Sequence, residues 1–358
     1  MHQFQNDYSE GAAPAILDAL VRTNAEQTVG YGEDEHCARA FDLIRADVAA
    51  PDAFVKFVPG GTPANILAIS ALTEDFEGPI CAADAHPTIH ETGAIEACGR
   101  RLLATRDPYG ILTPEEAERT YRDMMATSYH TTRPGMIYIA DTSEFGHVYT
   151  CAEFDALCDW AESRELAVYV DGARMASAMT AEGADLTIQH VAKRADIFTL
   201  GGTKNGMLFG EALVVSPRTA RGERAIERLP YLTKRAGALT AKGRLMGVEY
   251  EAAFESTGTK DGALYWQIAR EANACACALA DGLAALGLKR AIETRGNQQF
   301  FWMAPALAAR FAETCGCETM VAHDPTGAGH VVVRFVTSWA TRREHVDELL
   351  AWAREAVA

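Results

Sequence analysis

Short apolar runs closed by glycine or a charged residue recur through the first two-thirds of the chain, separated by stretches with apolar residues at helical spacing. The runs at 136–140, 167–170, 197–200 and 212–215 have the length and residue types of central strands, 79–82 reads as a short strand, and 54–58 is a largely apolar run. Between them, Thr113-Pro114-Glu115-Glu116 and Thr150-Cys151-Ala152-Glu153 fit a capping box, the second ahead of Phe154, Leu157, Cys158 and Ala161. Thr341 and Glu344 repeat the device before Val346, Leu349, Leu350 and Ala353. This alternation predicts an α/β unit with a mostly parallel central sheet. Beyond about Gly258 the pattern changes to a long alanine-rich helix at 263–286, strands at 298–303 and 331–336, and a final helix. The expected division is a large α/β domain, residues 1–256 with the N-terminal segment included, and a smaller C-terminal α+β domain, residues 257–358.

Composition narrows the partners. A chain of 358 residues, 48% hydrophobic, suits two packed domains better than one. A formal charge of -16 disfavours nucleic acid and anionic membranes. There is no run of membrane-spanning length, and the first residues lack a basic-then-apolar signal, so a cytoplasmic protein is expected. The nine scattered cysteines fit a reducing compartment without disulfides. Cys275-x-Cys277 and Cys315-x-Cys317 lack the spacing and histidine partners of a zinc site, and no metal is expected.

Two strand ends carry the chemistry. Val170-Asp171-Gly172-Ala173-Arg174 and Leu200-Gly201-Gly202-Thr203-Lys204-Asn205-Gly206 each place a charged group just past a buried run. In a parallel sheet such ends meet a cleft. A partly dehydrated lysine there is nucleophilic and suits Schiff-base chemistry, and the aspartate suits the ring nitrogen of an electron-sink cofactor. Pyridoxal 5'-phosphate is the implied cofactor. Asp-Gly and Gly-Gly-Thr-Lys also read as ordinary turns, so the inference rests on further residues. In Pro59-Gly60-Gly61-Thr62-Pro63-Ala64-Asn65, glycines and a helix start suit a phosphate, with Thr62 as expected cap and Pro63 at the first helical position. His86 suits stacking on a ring or proton exchange, or else a structural role; His90 reads as scaffold. Arg334 interrupts the apolar run 331–336 and needs an anion, either an internal carboxylate or that of a substrate.

In combination these residues resemble the threonine aldolases, of the beta-eliminating lyase group in the pyridoxal-phosphate aminotransferase-like superfamily. The resemblance runs from Asn6-Asp7-Tyr8-Ser9 and Tyr31-Gly32-Glu33-Asp34 through Gly61-Thr62-Pro63-Ala64-Asn65, His86 with Glu91 and Gly93, Asp171 to Arg174 and Lys204, to Arg334-Phe335-Val336-Thr337. It implies fold type I, with helices on both faces of the sheet. It further implies that Lys204 links the cofactor, Asp171 pairs with its ring nitrogen, His86 stacks on the ring, and Gly61 and Thr62 bind phosphate. Arg174 and Arg334 reach the substrate carboxylate or the cofactor oxygen beside it, and Asn6 and Tyr31 join the substrate site. Family sites form between subunits of a dimer, often within a tetramer, so Tyr31 and cationic residues near Arg235 and Lys242 serve a neighbouring subunit. The chain departs from many members at Asn6, where serine is common, and at Glu144, where histidine is common; His147 stands three residues on. The implied activity is retro-aldol cleavage of L-threonine, L-allo-threonine and related β-hydroxy-α-amino acids to glycine and an aldehyde. Phenylserine cleavage or β-elimination on the same scaffold, and more remotely noncatalytic phosphate-ligand binding, are the alternatives.

Overall fold

Seven apolar segments pair into one sheet in a computed structural model that describes residues 1–106, 111–256, 258, 262–320, 327 and 329–357. They are β1 (Phe54–Val58), β2 (Glu77–Cys81), β3 (Leu103–Ala104), β4 (Arg133–Ala140), β5 (Ala167–Asp171), β6 (Ile197–Gly201) and β7 (Glu211–Val215). Their order is β1-β7-β6-β5-β4-β2-β3. β7 is antiparallel to both neighbours and the other strands share one direction. Strands this apolar must be covered on both sides. In β4 and β5, Ile137, Ile139, Val168 and Val170 enter one core, while Met136, Tyr138, Ala167 and Tyr169 enter the core on the opposite face.

The second sheet contains β8 (Lys289–Ile292), β9 (Gln298–Met303), β10 (Glu318–Met320) and β11 (Val331–Val336), all antiparallel in the order β10-β11-β9-β8. Helix Leu264–Ala285 spans both units, with Ile268 and Ala269 in a core of the large sheet and Leu279 and Leu283 in the core under the small one. Phe4 joins the small core, and its backbone bonds Cys315 and Val336. The expected boundary falls next to residue 257, outside the described residues.

Of the three helix starts with a capping-box pattern, two are capped by the expected threonine. Thr150 forms a complete capping box with Glu153, and the Thr113 hydroxyl accepts from the Glu116 amide. The third start differs. The final helix begins at Arg343, and the Thr341 hydroxyl accepts from the Ser338 amide instead. The Arg342 amide donates to His345 Nδ1, the kind of back-bond to the helix start that a capping box would have drawn from Glu344. All nine cysteines are unpaired, and no described helix is long and apolar enough to cross a membrane.

Candidate active site

Glycines bring the two charged strand ends together. The Gly172 amide donates to Thr199 Oγ1 at 2.6 Å, and the Gly201 amide to the Gly172 carbonyl at 3.0 Å. A Cβ on Gly172 would lie 2.0 Å from the Thr199 carbonyl oxygen, and one on Gly201 2.3 Å from that of Ala173. Only backbone without side chains permits this approach of β5 to β6. Gly202 is similarly enclosed by Met207, Gly210 and Tyr250. The glycines before Lys204 therefore lock the turn against protein rather than leave room for a ligand.

Asp171, at the end of β5, is buried, and its carboxylate accepts from Tyr138 Oη at 2.5 Å and from the Ala173 amide at 3.0 Å. Lys204, three residues past β6, faces a cleft of about 920 Å³ shared with Tyr8, His86, His90, Glu144, Arg174, Glu318 and Arg334. Burial lowers the proton affinity of the Lys204 amine and the Arg174 guanidinium adds to the effect, while Asp7, Glu144 and Asp171 oppose it. The net result is an amine shifted toward its neutral, nucleophilic form.

His86 is held from behind. Its Nδ1 lies 2.8 Å from Glu91 Oε1, Asn65 Nδ2 donates to the same oxygen at 2.6 Å, and Tyr169 Oη donates to Asn65 Oδ1 at 2.8 Å. Burial works against the His86 cation, but Glu91, then Glu144 and Asp171, outweigh it and hold its pKa above the ordinary value. Asn65 ties this chain to helix Gly61–Leu72, which follows β1 at the same end of the sheet. The expected cap is corrected here. Gly60, extended at φ 171°, is the N-cap, no side chain caps the turn, and Thr62 and Pro63 lie inside the helix. The first-turn amides of Gly61 and Thr62 thus await an outside acceptor. No atom lies within 4 Å of a Cβ built on Gly60 or Gly61, so the cradle has space for a phosphate.

Arg174 is fixed by Asp7: Nε donates to Oδ2 at 2.8 Å and Nη2 to Oδ1 at 3.1 Å, with Asn297 Nδ2 also on Oδ2 at 2.9 Å. Its Nη1 is left clear of Asp7. Arg334 Nη2 pairs with Glu318, and Nη1 donates to Gln298 Oε1 at 3.2 Å. Asn6 Oδ1 instead accepts from the Tyr8 amide and the Ser9 hydroxyl, and Tyr8 rather than Asn6 lines the cleft. His147 sits beside Glu153 at 3.3 Å and lines a different groove. Tyr31 is half-exposed at φ 65° under the Lys234 ammonium and is not among the cleft's walls. Sequence reasoning missed Tyr138, the Glu91 to Tyr169 chain, the wall position of His90, and Glu318. Elsewhere, Cys151, Asp155 and His190 bring three donor atoms within 4.8 Å of one another, with Arg194 Nη1 3.2 Å from Asp155.

A buried lysine and an aspartate at neighbouring strand ends, an uncapped helix start and a supported histidine fit pyridoxal phosphate. They define a pyridoxal-phosphate enzyme of fold type I. Residues 3–326 match the Beta-eliminating lyase family, and the chain belongs to it. It is 31% identical to the low specificity L-threonine aldolase of Pseudomonas sp. over 363 residues, covering 99% of this chain and 98% of the relative. The corresponding protein of Pseudomonas aeruginosa is 30% identical, with 97% and 95% covered. The threonine aldolase structure of Leishmania major superimposes with a TM-score of 0.92 at 33% identity, each chain covered completely.

Proposed function

We propose that this protein cleaves β-hydroxy-α-amino acids, L-threonine and L-allo-threonine among them, reversibly into glycine and an aldehyde. The observation that carries the reading is the placement of Lys204 and Asp171 at adjacent strand ends, next to a cleft that also holds Arg174, Arg334, His86 and Glu144. Similarity to threonine aldolases over nearly the full chain supports it.

Bound pyridoxal phosphate supplies the sink for the electron pair released when the Cα–Cβ bond breaks. Lys204, its amine shifted toward the neutral form by burial, would hold the cofactor covalently. Asp171, oriented by Tyr138 and the Ala173 amide, would hold a proton on the ring nitrogen. The amides of Gly61 and Thr62 would hold the phosphate, and His86, braced by Glu91, would lie against the ring. Arg334 and the Nη1 of Arg174, which is clear of Asp7, receive the substrate carboxylate, which fixes the bond presented for cleavage. His86 and Glu144 are the cleft groups that can take the β-hydroxyl proton, directly or through water.

Assembly as a homodimer or homotetramer, with Tyr31 and cations near Arg235 and Lys242 completing a neighbour's site, belongs to the same reading. So do a cytoplasmic location supported by the unpaired cysteines and the division into residues 1–256 and 257–358. The test is product analysis of the purified holoenzyme with L-threonine and with L-serine. Acetaldehyde plus glycine from threonine is expected; a keto acid plus ammonia instead assigns the scaffold to elimination and overturns the aldol reading.

A further inference from the structure

Arg334 already has a carboxylate. Glu318 and Arg334 are register partners across β10 and β11, and the Glu318 carboxylate accepts from Nη2. Gln298, from β9, accepts from Nη1. The third nitrogen, Nε, is buried and has no hydrogen-bond partner among the described residues. An orphaned N–H on a charged group is costly, and a carboxylate prefers two parallel bonds from one guanidinium edge. The Nε–Nη2 edge offers such a pair of donors once Glu318 leaves Nη2.

Glu318 is the movable member. Its side chain is 46% exposed against 12% for Arg334, and it stands on a three-residue strand at the edge of the small sheet. Both residues wall the cleft that holds Lys204. We propose that Glu318 is an internal occupant of the arginine that receives the substrate carboxylate, and that it sets the affinity for amino acids by having to be displaced. The proposal rests on the assignment of Arg334 to the substrate carboxylate made above. An amine without a carboxylate has nothing to displace Glu318 with, so the pair acts on amino acids selectively.

The experiment compares wild-type holoenzyme with Glu318→Gln and Glu318→Ala, reading KM and kcat for L-threonine. Glycine and methylamine, the same amine without its carboxylate, are titrated in parallel by the absorbance of the bound cofactor. Removing the charge is expected to lower KM for threonine and Kd for glycine by about two- to fivefold, the range of a half-exposed ion pair. Methylamine binding and kcat are expected to stay unchanged. An unchanged or raised glycine Kd overturns the proposal, as does an equal change for both ligands, which would make Glu318 a brace for the site rather than a competitor. Absence of aldehyde from wild-type enzyme would sink the aldol reading alone, because the contrast between glycine and methylamine still tests Glu318.

Discussion

Asp171 accepts hydrogen bonds from Tyr138 and from its own turn, so its carboxylate is aimed before any ligand arrives. Such preorganised charge accelerates a reaction because it needs no rearrangement in the transition state. Asp171→Ala is therefore expected to retain cofactor but lose about a hundred- to a thousandfold in kcat, the usual cost of deleting one preorganised polar partner. Steady-state rates with cofactor occupancy measured on the same samples check this, and an unchanged kcat would refute the sink argument. Asp171, Lys204, His86 and both arginines were legible because each is a polar residue in, or just past, an apolar or glycine-rich setting. Tyr138 was not, since a tyrosine inside 136–140 reads as one more apolar strand residue. Nor was the Asp7 partner of Arg174, 167 positions away.

At the scale of elements, the glycines have two distinct roles, which the sequence cannot separate. Gly201 is enclosed by the backbone of Ala173, while Gly60 faces open space. Gly201→Ala is expected to destabilise the fold by about 1–3 kcal/mol or more, the range for overpacking. Gly60→Ala is expected to leave the fold stable, since φ 171° suits any residue, and to weaken cofactor binding by filling the cradle. Denaturant unfolding and cofactor titration of both variants check the contrast, and equal stability losses would count against it. The main strands were legible from buried runs of the right length. The reversal of β7 was not, because an apolar run reads alike in either direction, and β3, β8 and β10 are too short for a periodic signal. The Thr62 and Thr341 caps were misplaced because local sequence does not show that Gly60 takes the N-cap position or that Ser338 recruits the Thr341 hydroxyl.

Across the whole molecule, the fold buries carboxyl groups that the site geometry does not need. Glu249, in helix Arg244–Phe254, is fully buried, and loss of hydration raises its pKa to about 8. A folded-state pKa above the unfolded value of 4.5 means that the native state holds the extra proton between those limits. Its contribution to stability is thus complete below pH 4.5 and is lost as pH rises through about 8. Glu249→Gln cannot titrate, so its unfolding free energy should fall less steeply than wild type across that window. Denaturant unfolding at several pH values checks this; parallel curves would contradict the buried-acid account.

The central claim is that one of seven lysines, Lys204, carries the cofactor, just past the strand that neighbours the one ending in Asp171. Borohydride reduction of the holoenzyme followed by peptide mass mapping tests it most directly. The account predicts the phosphopyridoxyl mass on Lys204 alone and its loss in Lys204→Ala; the same adduct on another lysine, or none in the yellow wild-type protein, would contradict it.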